Sequence, residues 1–314
     1  MKKMFNKNCS SEKDLVQQLI REARKENPRM NKVRELIAAG VPLRRKESNA
    51  FVALIVAAAK GHTEMVQVLL ENGVPVDGRD KVGNSAFSQA LSQQHNAIAK
   101  ILINAGVDPA EKVGLHVPIS MAAFLGNKDM VEFLLTLHVP LEEKNGINDT
   151  PLTTATNAGH TEIVRLLING GADVNALGNG GRNAIILAGR NKEIIQLLID
   201  SGADVNATSG DGSTVLISAV KGGKLDLVKG LLAAGAEPDM QDKLGRSALK
   251  WAAKYDLLAI AQVLLNAGAN PHLADKYQDT PLAVAKSVHM SKLLSGARQG
   301  RTAAKKKEKP GQQL

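Results

Sequence analysis

The stretch Asn148–Ala176, NDTPLTTATNAGHTEIVRLLINGGADVNA, decides how the rest of the chain is read. Thr150 carries a hydroxyl that can accept from an amide at a helix start, and Pro151 suits the first helical position, where no amide bond is needed. That helix is predicted to end at Gly159. A second helix, from about Thr161 to Asn169, would place Ile163, Val164, Leu166, Leu167 and Ile168 on one broad apolar stripe. Gly170 and Gly171 then supply a left-handed stop, and ADVNA leads out to a loop. Helices this short are marginal alone in water, so their stability must come from packing on neighbours.

The neighbours are copies of the same unit. The Thr150 position recurs at Val52, Ser85, Val117, Asn183, Thr214, Ser247 and Thr280, at spacings of 33, 32, 33, 33, 31, 33 and 33 residues. A second marker, the glycine after the second apolar run, falls at Gly40, Gly73, Gly106, Gly171, Gly202, Gly235 and Gly268, with His138 filling the one gap. Two independent markers keep one period, which is the signature of a repeat array rather than of separate globular domains.

The 33-residue period with T-P-L-x-x-A, G-H-T-E-I-V-x-L-L and G-A-D-V-N resembles the ankyrin repeat. The resemblance covers roughly residues 12 to 296. It implies an all-α solenoid of stacked helix-turn-helix units with projecting β-hairpin-like loops, or fingers. The expected organisation is a flexible leader (1–10), an N-terminal cap (11–46), seven repeats (47–274), a C-terminal cap (275–296) and a disordered basic tail (297–314). Three departures from the family pattern stand out. The histidine usual after T-P-L is replaced by Ile55, Ser88, Ser120, Thr153, Ile186, Ile217, Lys250 and Ala283, so its hydrogen bonds must be replaced or lost. The sixth unit is two residues short, which should trim its first helix or turn. The last unit reads as having a shortened second helix.

Composition agrees with an all-helical array. The apolar fraction is 44% but aromatics make up only 3%, leaving Ala, Leu, Val and Ile to pack closely spaced helices. The single cysteine, Cys9, can form no internal disulfide, and the N-terminal MKKMFNKNCSS lacks the apolar run of a signal peptide. No segment is long and apolar enough for a membrane helix. A soluble, cytoplasmic, monomeric protein is expected. The formal charge of +9 is uneven: residues 1–46 carry +8, residues 296–314 carry +5, and the long middle is slightly acidic.

No catalytic or metal-binding constellation emerges, and no cofactor is expected. None of the seven histidines stands in an H-E-x-x-H pair. His62, His95 and His160 share one turn position and are read as bonding the neighbouring unit. The GNGGR run at Gly178–Arg182 matches neither a P-loop nor a dinucleotide fingerprint. Asp204, Asn206 and Thr208 begin like a calcium loop, but Ser209 and Val215 stand where its Gly and Glu are required.

In proteins of this family the variable finger residues and the exposed ends of the first helices form the binding surface. Carried over to this chain, those positions are mostly polar, so large apolar or aromatic residues stand out as candidate anchors for a protein partner. One group is Phe51, Val82, Val113, His116, Phe124, Leu125 and Ile147. The other is Leu244, Arg246, Tyr255 and Tyr277. Trp251 is read as core. The resemblance therefore implies a non-enzymatic module that binds one or more proteins. The competing reading is a nucleic-acid or other polyanion contact through the basic N-terminal cap and the tail lysines Lys305, Lys306, Lys307 and Lys309.

Overall fold

The computed structural model describes residues 2–44, 49–112, 117–189 and 191–307, with side chains described between 12 and 297 within those ranges. It divides into two compact units, Met1–Ala172 and Asp173–Leu314. Both are built from helix pairs. Among the described residues the only β structure is three isolated bridges, Arg79 with Ser85, Thr208 with Thr214 and Gln241 with Ser247, each at the base of a finger.

The first unit holds five pairs: α1 (Lys2–Ala23) with α2 (Met30–Ala38), α3 (Phe51–Lys60) with α4 (Thr63–Glu71), α5 (Ala86–Ser92) with α6 (Asn96–Asn104), α7 (Pro118–Phe124) with α8 (Lys128–Thr136), and α9 (Pro151–Ala158) with α10 (Thr161–Asn169). First helices stack on first helices along the series α1, α3, α5, α7 and α9. The second unit holds α11 (Ala184–Leu187) with α12 (Lys192–Asp200), α13 (Val215–Lys221) with α14 (Leu225–Ala233), α15 (Ala248–Lys254) with α16 (Leu258–Asn266), and the final α17 (Val288–Lys307). Here α13 packs on α15, α14 on α16, and α16 on α17.

The local grammar read from Asn148–Ala176 is what builds each pair. Thr150 Oγ1 accepts from the Thr153 amide at 3.2 Å, Pro151 occupies the first turn, and Gly159 closes α9 at φ 79°. Ser85, Asn183, Thr214 and Ser247 cap their helices in the same way. Of the α10 stripe, Ile163, Val164 and Leu167 are buried, whereas Leu166 and Ile168 are half-buried. The core register therefore runs through Leu167. The two glycines after α10 do different work. Gly171 takes the left-handed conformation, while Gly170 has an ordinary helical φ and lies where a Cβ would come within 2.7 Å of Leu135 in the preceding repeat.

The missing family histidine is compensated unevenly. Ser88 and Thr153 each donate to the carbonyl of their own cap residue, at 2.9 and 3.0 Å. Ser120 Oγ is buried with no partner among the described residues. Lys250 reaches forward into the last repeat, pairing with Asp275 and donating to the Asp279 carbonyl at 3.1 Å. Burial pushes the Asp275 carboxyl up, but the Lys250 ammonium and the amides of Asp279 and Tyr277 outweigh it and hold the group below the ordinary value.

The short sixth unit has its expected trim, since α11 is a single turn of 4 residues. The last unit departs from expectation. Its second helix is not shortened; α17 is 20 residues long and the first helix is reduced to turns at 281–284. The cause is spacing. Val288 starts α17 eight residues after Thr280, whereas Leu258 starts α16 eleven after Ser247, so no length remains for a first helix. Ser287 completes the new start by accepting from the Met290 amide at 3.1 Å while donating to Asp256 at 2.6 Å. The terminal helices α1 and α17 also extend beyond the boundaries expected at 11 and 296.

Candidate partner-binding surface

The fingers are shaped by one recurring device. Asp80, Asn145, Asp242 and Asp275 each accept, through one side-chain oxygen, the amides of the residues two and four positions on, all at 2.9–3.1 Å. This fixes a tight turn without using the side chain at the second position. Those second-position residues are Val82, Ile147, Leu244 and Tyr277, and they stand 84%, 61%, 38% and 70% exposed. Four of the candidate anchors thus share one geometric origin: the amide is held and the side chain is released. In the second unit, adjacent fingertips are also joined through the backbone, the Lys243 amide donating to the Asp211 carbonyl at 2.8 Å and the Lys276 amide to the Leu244 carbonyl at 3.0 Å.

In the first unit, Phe124, Leu125 and Ile147 come together. Phe124 ends α7, Leu125 follows it, and Ile147 leans in from the finger ahead of α9. Together with Met121, Ser120, Thr154 and Asn157 they line an apolar groove of about 370 Å³. Phe124 is exposed at its rim, and Ser120, 2% exposed, is among its lining residues. The backbone beneath Phe124 is tied down by the next repeat, because His160 donates through Nε2 to the Phe124 carbonyl at 3.1 Å. Gly126 makes room for that imidazole: at φ 72°, a Cβ there would meet the His160 ring at 2.8 Å. His62 and His95 act alike on the carbonyls of Lys25 and Ala59, at 2.8 and 3.3 Å. All three are therefore inter-repeat ties, as the shared turn position suggested.

The other first-unit candidates are scattered. Val82 occupies a different fingertip, and Phe51 is half-buried against Gly78, where an added Cβ would meet its ring at 2.4 Å. Val113 and His116 lie outside the described residues.

In the second unit, Arg246 and Tyr255 converge on Trp251. The Trp251 and Tyr255 rings stack with centroids 5.4 Å apart, and the Arg246 guanidinium lies 4.6 Å from the indole centroid. Trp251 is buried, as read from sequence, at 6% exposure. Its cover includes Lys221 and Lys254, two side chains that sequence reasoning passed over. The signal was available in the repeat register, where residues 221 and 254 both close a first helix, but charge at a helix end reads as ordinary solvation.

Part of the basic N-terminal cap is spent locally. Arg34 pairs with Glu64 at 3.0 Å, Lys32 with Glu35 at 3.2 Å, and Lys25 with Glu22. The tail lysines fall where side chains are not described. Among the described residues no cluster of three or more His, Cys, Asp or Glu is placed to hold a metal ion, and no helix is long and apolar enough to cross a membrane.

Comparison with known proteins places these features in context. A family model described as ankyrin repeats (3 copies) matches residues 9–113, 119–209, 193–275 and 216–301. The chain is 32% identical over 137 residues to the E3 ubiquitin-protein ligase XBAT33 of Arabidopsis thaliana, covering 43% of this chain and 26% of that protein. It is 35% identical over 111 residues to alpha-latrocrustotoxin-Lt1a of Latrodectus tredecimguttatus, covering 35% of this chain and 8% of the toxin. The matches thus span about a quarter or less of these curated relatives. A crystal structure of an ankyrin repeat domain from Acinetobacter baumannii AYE is similar at a TM-score of 0.54 and 33% identity, covering 58% of this chain and 97% of that one.

Proposed function

Because this chain belongs to the ankyrin repeat family, whose repeats mediate protein–protein interaction and whose fold is typically a non-enzymatic module, we propose that it works by holding a partner protein, as a scaffold, adaptor or inhibitor. The observation that carries this reading is the groove formed by Phe124, Leu125 and Ile147. An apolar cavity with one exposed ring at its rim, Phe124, can take up an apolar side chain of a partner. The ligase activity in the name of the Arabidopsis relative belongs to a protein of which this chain matches only 26%. The reading extends to a cytoplasmic, monomeric protein that uses its other fingertips, Val82, Leu244 and Tyr277, as additional contacts.

The test compares wild type with Phe124→Ala. Truncating an anchor ring at a partner interface costs roughly 1–4 kcal/mol of binding, while an exposed ring contributes little to folding. A protein retained by wild type in a pull-down, and confirmed with purified components, should bind the variant less well at an unchanged melting temperature. Equal affinity for both removes the groove from the interface.

A further inference from the structure

Trp251 sits under an arrangement that nothing in the repeat scaffold requires. Lys221 Nζ lies 4.8 Å from the indole centroid, Lys254 Nζ 5.1 Å and the Arg246 guanidinium 4.6 Å, so three cations share one ring. Only Arg246 has a carboxylate to answer it, Asp242 at 2.7 Å. Lys221 and Lys254 are exposed, and neither forms an ion pair among the described residues. A ring quadrupole compensates several mutually repelling cations weakly, since each such contact is a modest attraction in water. A second observation is independent of the charges: the indole Nε1–H is buried and has no acceptor among the described residues. Buried donors are ordinarily satisfied, and a group left without an acceptor invites one from a ligand.

We propose that this cluster is a recognition site for an acidic peptide segment of a partner protein, one carboxylate of which settles among Lys221, Lys254 and the Trp251 edge. Tyr255, 45% exposed and stacked on the indole, offers an aromatic face to an apolar residue beside that carboxylate. Charge complementarity selects the anion, and the surroundings select its form. The Trp251 ring is already covered by cations and by Tyr255, which leaves no indole face for a nucleobase to stack on. Asp256, exposed two residues after Lys254, opposes a continuous phosphate backbone more than it opposes a single carboxylate. This site lies in the second unit and does not rest on the groove of the first.

Trp251 is the only tryptophan of the chain, so its emission reports on this site alone. The experiment titrates the full chain with the synthetic peptide acetyl-Glu-Glu-Phe-Asp-Glu-Leu-Asp-Glu-amide and with its Gln/Asn counterpart. The acidic peptide should give a saturable emission change that weakens with added salt, and the neutral peptide none. Lys221→Ala/Lys254→Ala should bind about tenfold more weakly, the loss of two partly desolvated charge pairs, with an unchanged melting temperature. Trp251→Phe, followed by anisotropy of a fluorescein-labelled acidic peptide, should also bind more weakly. Phe124→Ala should respond as wild type does, so the groove can fail while this site stands, and the reverse. The proposal is overturned if the acidic peptide gives no saturable change up to millimolar concentration, if the neutral peptide matches it, or if the double lysine variant keeps full affinity. A lysine-dependent response to a 20-nucleotide oligo(dT) that equals or exceeds the peptide response also overturns it, in favour of a general polyanion site.

Discussion

Replacing Lys250 with Met should loosen the last two repeats by an amount that the contacts around it allow to be worked out. The side chain is 6% exposed; its ammonium pairs with the 3% exposed carboxylate of Asp275, donates to the Asp279 carbonyl at 3.1 Å and lies 3.8 Å from the Asp279 carboxylate. Removing one member of a buried pair costs about 3–5 kcal/mol, because the other charge stays buried without its partner. Asp275 keeps the amides of Tyr277 and Asp279, at 2.9 and 3.0 Å. These bonds continue to stabilise the anion, and Met refills most of the stem, so the loss should fall near the lower end, about 3 kcal/mol. In wild type the Asp275 pKa is depressed. Its contribution is therefore present above the pKa of the unfolded chain and is lost as pH falls through the lower folded value. Without Lys250 its lowering of the Asp275 carboxyl is lost, so Asp275 takes up a proton sooner on acidification than in wild type, which reduces the penalty specific to the variant. The gap between wild type and variant should narrow from pH 7 to pH 4. Urea unfolding followed by the emission of Trp251, the next residue in the chain, measures the local transition at each pH. A loss below about 1 kcal/mol at pH 7, within the range of ordinary surface changes, or a gap of equal size at both pH values, would refute the reasoning.

Two further substitutions test the scaffold. Leu167→Ala removes a fully buried side chain and should cost about 2–5 kcal/mol, with Leu166→Ala distinctly milder; equal losses in thermal melts would mean the stripe is in another register. Asn206→Ala breaks a two-way tie between repeats, in which the side chain donates to the Gly235 carbonyl at 3.2 Å and accepts the Glu237 amide at 2.8 Å. Both backbone groups are exposed enough for water to replace it, so denaturation should show a loss of only about 1 kcal/mol, and a loss as large as that of Leu167→Ala would contradict the assignment.

The fold was legible because the repeat states the same physics many times. Thr150, Pro151 and Gly159 announce a cap, a first turn and a stop, and the recurrence of those positions removes the ambiguity any single copy would have. The short sixth unit could be read because deletions register directly against a fixed period. The last unit could not, since a shift of three residues between Thr280 and Val288 looks like a lost second helix when only apolar spacing is counted. The exposure of Phe124 and Ile147 was legible, because in each a large apolar residue stands at a position that is otherwise polar. Lys221, Lys254 and the covered indole were not, because their significance lies in convergence from two repeats, and neither lysine is unusual in its own segment. Lys250 is an intermediate case: its position was marked as one where a hydrogen bond had to be replaced, but its partners, 25 and 29 residues on, came from the structure.

The side-chain oxygens of Asp80, Asn145, Asp242 and Asp275 have a consequence for how this surface can change. Each sets its turn through backbone amides alone, so Val82, Ile147, Leu244 and Tyr277 can be exchanged without disturbing the bonds that hold the turn in place. Within each finger, folding and the proposed recognition are thereby written in separate alphabets. The second-position letter can be rewritten while the bonds that set the turn are left as they stand.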